Sequence, residues 1–78
     1  DDIDFVDKNG FEFFSFHKVN NKGKFDNVFY AVSKEGKIIL EETLNKNIDK
    51  IEPESFFIKD NLLFLLFGQS GFGVYKII

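Results

Sequence analysis

With 78 residues, no cysteine and one histidine, the chain has room for a single small domain and cannot build a disulfide, a Cys-ligated metal or a His-rich metal centre. Ten lysines against 13 acidic residues leave a formal charge of −3, which disfavours a dedicated nucleic-acid binder, because such proteins need a positive face. The longest apolar run, Leu62–Phe67, is far too short to cross a bilayer as a helix, so no transmembrane segment is expected.

Residues 3–6, after the charged lead-in Asp1-Asp2, form the first strand candidate. Asp7-Lys8-Asn9-Gly10 follows, and Asn-Gly suits a type I′ hairpin turn. Residues 11–19 read as the second strand. Phe11, Phe13, Ser15, His17 and Val19 share one face, while Glu12, Phe14, Phe16 and Lys18 share the other. The middle of this strand is apolar on both sides. The run Asn20 to Lys24 is a polar loop. The third strand starts at Phe25 or Asn27 and ends near Val32, and Ser33-Lys34-Glu35-Gly36 turns the chain into a fourth strand at 37–41.

The period then changes. Leu44, Ile48 and Ile51 are spaced by four and three, which predicts a short helix over 44–51, capped by Thr43 and stopped ahead of Pro53. A fifth strand at 55–59, the turn Asp60-Asn61, a sixth strand at 62–67, the turn Gly68 to Gly71 and a seventh strand at 72–78 complete the chain. Gly73 inside the last strand marks a bulge or a close backbone approach. Leu62–Phe67 is apolar on both faces, is expected to be the most buried strand, and has to be covered on both sides.

Strand, charged Asx turn and aromatic-rich strand occur twice, around Asp7 to Gly10 and around Lys59 to Asn61. Two units of roughly 50 residues are similar to one and a half blades of a propeller. The statistics of a simple meander account for the same pattern. Propellers close with about four blades or more, so such a unit would be a fragment or part of an assembly. The chain opens on Asp1 rather than methionine, which fits a processed chain or a piece of a longer one. No basic segment precedes an apolar one, so no signal peptide is expected, and composition assigns no compartment.

No constellation stands out as catalytic. Ser15 and His17 share a strand face, but there is no nucleophile elbow, and an ordinary strand-end histidine is the favoured reading. The stretch from Gly68 to Gly73 lacks the lysine and the strand-to-helix context of a phosphate cradle. Asp7-Lys8-Asn9-Gly10 lacks the downstream acid of a calcium loop. Glu41, Glu42, Glu52 and Glu54 read as solvated surface. Lys18, Lys22 and Lys24 beside Phe16 and Phe25 mix charge and rings as single-strand binders do, yet Asp26, Glu12 and the net charge oppose that role.

Twelve phenylalanines with no tryptophan and two tyrosines point to packing. A single sheet with one helix covers only one face, so the remaining apolar surface must be buried by curling or by a partner. The expectation is a single domain over 1–78, all-β or mostly β, with about seven antiparallel strands in meander order. The sheet is expected to curl into a small barrel or sandwich, with the helix at 44–51. The expected function is a non-enzymatic protein-interaction or structural module, one version being an acidic inhibitor or immunity-type protein that masks a basic partner. The alternative is a small hydrophobic-ligand or lipid-binding β module lined by Phe. The partner is expected to be a protein, a second copy in a homodimer included. The candidate binding residues are Phe11, Phe13, Phe14, Phe16, Phe29, Phe72 and Tyr75; no catalytic residue, metal ligand or cofactor is assigned.

Overall fold

The structure, a computed structural model, describes residues 4–52, 54–68 and 71–77. Their regular structure is all strand: β1 Asp4–Lys8, β2 Phe11–Val19, β3 Phe25–Val32, β4 Ile38–Ile48, β5 Phe56–Lys59, β6 Leu62–Phe67 and β7 Gly71–Lys76. They form two antiparallel sheets, one ordered β1-β2-β3-β4 and the other β5-β6-β7.

Each sheet starts with a two-residue hairpin. Lys8 pairs with Phe11 across Asn9-Gly10, which adopt φ of 55° and 81°. Both angles lie in the left-handed region that a type I′ turn requires and that Asn and Gly tolerate best. Lys59 pairs with Leu62 across Asp60-Asn61, with Asp60 at φ 56°.

The sheets share one core. Phe13, Phe29, Ala31 and Leu44 come from the first sheet; Phe56, Leu63 and Leu65 come from the second, with Ile77 just beyond β7. The ring of Phe56 meets that of Phe29 edge-on at 5.1 Å. Alternation does the sorting, because residues two apart on a strand face the same way. Phe13 and Ser15 therefore point in and are buried, while Phe14 and Phe16 point out and are half-buried.

The predicted helix is absent. Leu44 to Ile48 lie in β4, where Thr43 pairs with Val28 rather than capping a helix. A spacing of four is even, so a strand also puts Leu44 and Ile48 on one face. The odd step to Ile51 comes after the strand, and Ile51 is exposed. Asn47 takes φ 54° beside register shifts between β3 and β4, a bulged geometry that asparagine accepts and a helix does not. The sheet does not curl into a barrel either. After β4 the chain crosses over 49–55 into a separate sheet whose β5 pairs with β6.

The other strands lie close to where the sequence puts them, except that β4 reaches Ile48 in place of residue 41. Ile3, Pro53, the Gln69-Ser70 part of the last turn and Ile78 lie outside the described residues. β6 is not the most buried strand. That position belongs to β3, which carries Asn27, Val28, Phe29 and Ala31 buried, whereas β6 buries Leu63 and Leu65. β6 is covered on one face, by the core around Leu63 and Leu65; Leu62, on its other face, is exposed within the chain.

Candidate functional site

Stacking two sheets leaves two outer faces. On the four-stranded sheet, Phe5, Phe14, Phe16 and Tyr30 share the outer side, because Phe5 pairs with Phe14 and Phe14 with Tyr30. The ring of Tyr30 lies 5.6 Å from Phe14 and 5.8 Å from Phe16, nearly parallel to the latter at 10°. Val28, cross-strand from Phe16, is buried, whereas Phe5 is 56% exposed. The rim is acidic, with Asp7, Glu12 and Glu41 on the same side and Lys18 as the neighbouring cation. The Tyr30 hydroxyl donates to Glu41 at 3.4 Å; burial, with the Glu41 charge second, raises its pKa above the ordinary value of 10.0.

The outer face of the three-stranded sheet is a row of rings. Phe57 stacks on Phe64 at 4.6 Å and 9°, and Phe64 lies 6.2 Å from Phe72. Phe72 is 64% exposed and Phe57 43%, and Leu62 and Val74 beside them are exposed as well. Lys59 and Lys76 flank Leu62 on this face, one on each neighbouring strand. Together these side chains make the outer face of this sheet largely apolar.

The sequence candidates therefore divide. Phe14, Phe16 and Phe72 lie on outer faces. Phe13 and Phe29 are core, and Phe11 and Tyr75 pack against that core. Tyr75 donates to Glu42 across the gap between the sheets at 3.3 Å. Phe5, Phe57 and Phe64 escaped sequence reasoning. The signal that marks them is the register of the hairpins, which no single strand carries.

Phe11, Phe13, Ala31, Leu40, Leu63 and Tyr75 line a cleft of about 260 Å³ between the sheets, with Ile39 and Ile77 also on its walls. At another point the crossover docks through a polar cluster. The Glu52 backbone N–H donates to His17 Nε2 at 3.0 Å. Asn27, fully buried, donates to Ser55 Oγ at 2.7 Å and to Glu52 Oε1 at 3.2 Å, and Asn45 donates to Glu52 Oε2 at 3.1 Å. His17 and Ser15 do share a face, but both are buried, and the histidine holds backbone rather than a hydroxyl. Among the described residues no group of three or more acidic or histidine side chains is placed to hold a metal ion, and no helix is long and apolar enough to cross a membrane.

Comparison with protein-family models, with curated proteins and with solved structures gives no match, so the reading of this chain rests on its own residues.

Proposed function

We propose that the chain is a non-enzymatic protein-interaction module that docks through the outer aromatic faces of its sheets. The exposed row Phe57–Phe64–Phe72 carries this reading. Aromatic side chains desolvated at the centre of a contact with charges at its rim are the usual build of an interface. The acidic rim at Asp7, Glu12 and Glu41 also fits the narrower inhibitor-type role, in which this side masks a basic partner. A photoreactive phenylalanine analogue placed at position 72 of the full chain tests the proposal in cells. A discrete covalent adduct, missing when the same analogue sits in the turn at Lys34, is the expected result. No adduct from position 72, or the same smear from both positions, would overturn it.

The cleft beside Phe11 and Tyr75 favours a second reading, a small apolar ligand held between the sheets. At about 260 Å³ it lies just below the range of about 300–1,000 Å³ usual for ligand sites. A saturable fluorescence gain from an apolar dye, abolished by filling the cleft with Leu40→Trp, would support it.

A further inference from the structure

The two hairpins align on their turns. Lys8 then corresponds to Lys59, and Phe11 to Leu62. The cross-strand pair Phe5–Phe14 corresponds to the pair Phe56–Leu65. The first pair lies on the outer face of its sheet and the second is buried in the shared core. In reverse, Phe13 faces the core while its counterpart Phe64 faces outward. The two units are therefore stacked the same way up. The second sheet uses against the first the very face that the first sheet leaves open.

Such a stack has unlike ends that complement each other, as the two faces inside the chain do. We infer that a second copy of this chain docks head to tail, its four-stranded sheet laid over the three-stranded sheet of the first. The inference rests on the interaction reading above and names its partner. Charge agrees with it. Within the chain, the Lys8 amine donates to the Asp60 carbonyl, so the two hairpin turns lie at the same end of the stack. Lys59, the counterpart of Lys8, points outward at that end together with Lys76. On the incoming four-stranded sheet the turn end presents Asp7 and Glu12. Opposite charges thus meet at one end of the contact, and the Phe57–Phe64–Phe72 row meets the Phe14–Phe16–Tyr30 layer. Because the joined surfaces differ, the contact is heterologous, and it propagates until a ring closes or a filament grows.

Solution mass over a concentration series tests this with two variants, Phe14→Lys and Phe64→Glu, each spoiling one outer face. Wild type is expected to gain mass with concentration. Each variant alone is expected to stay monomeric where wild type associates, and an equimolar mixture is expected to stop at a 1:1 dimer, since one intact face remains on each. Should either variant melt without a cooperative transition, Phe5→Lys and Phe72→Glu address the same faces at more exposed positions. Association of one variant with itself would mean two-fold pairing and overturn the inference, as would a mixture that stays monomeric. A wild type that is monomeric throughout would also overturn it; an adduct from position 72 to a different protein would then leave the interaction reading standing.

Discussion

Phe29 and Phe56 meet edge-on with their ring centroids 5.1 Å apart, one from the middle of the four-stranded sheet and the other from the first strand of the three-stranded sheet. Phe29 is completely buried. Replacing it with alanine removes a large ring from a close-packed site and is expected to cost about 3–5 kcal/mol. Small domains carry about 5–15 kcal/mol in total, so urea unfolding of Phe29→Ala is expected to begin at very low denaturant. Phe72→Ala, at a 64% exposed site, is expected to change the unfolding free energy by less than about 0.5 kcal/mol.

Ser55→Ala probes the docking of the crossover. The Asn27 amide would lose its 2.7 Å acceptor while staying buried, and leaving a buried donor short of partners costs about 1–3 kcal/mol. For a domain of this size that lowers the melting temperature by roughly 4–8 °C per kcal/mol. Ser33→Ala, which loses only an exposed 3.3 Å bond from the Lys37 N–H, is expected to change stability by less than about 0.5 kcal/mol, which is a melting shift of at most about 2–4 °C.

Stability is expected to fall at both ends of the pH scale, for separate reasons. The Asn47 backbone N–H, followed by the Asn20 amide, holds the Asp26 pKa below its ordinary 3.8. A depressed carboxyl contributes stability that is present above the unfolded value and lost as pH falls through the folded one. Asp26→Asn is therefore expected to flatten the decline below pH 3.8, read from thermal melts across an acid series. Tyr30 and Tyr75 are both raised above 10.0, by burial first and then by the charges of Glu41 and Glu42. Their contribution is complete below that value and lost as pH rises through the folded pKa. Tyr75→Phe is expected to remove part of the alkaline decline.

The first hairpin turn offers a backbone test. Gly10 sits at φ 81°, where a side chain is disfavoured by roughly 1–2 kcal/mol, so Gly10→Ala is expected to lower stability by about that much in chemical denaturation. A D-alanine at the same position in a synthetic chain is expected to restore it.

Alternation and turn chemistry are local, and they were legible. Phe13 beside Phe14, and Leu63 beside Leu62, already name opposite faces of a strand. Asn9-Gly10 names a hairpin before any partner strand is known. These suffice for the all-β class, for seven consecutive strands and for the two-residue turns. Local signals failed where one spacing serves two structures: Leu44 and Ile48 suit one face of either a helix or a strand, and pairing with β3 decided between them.

Which face of each strand looks inward, and that the meander divides after β4 into two sheets, depends on contacts distant in sequence. Tyr75 reaching Glu42, Asn27 reaching Ser55 and Lys8 reaching the Asp60 carbonyl are such contacts. Phe14 and Phe29 carry the same side chain, and the sequence gives no reason to bury one completely and leave the other on an outer face. Burial is a property of the layer that comes to lie above a residue, and only the assembled tertiary structure supplies that layer.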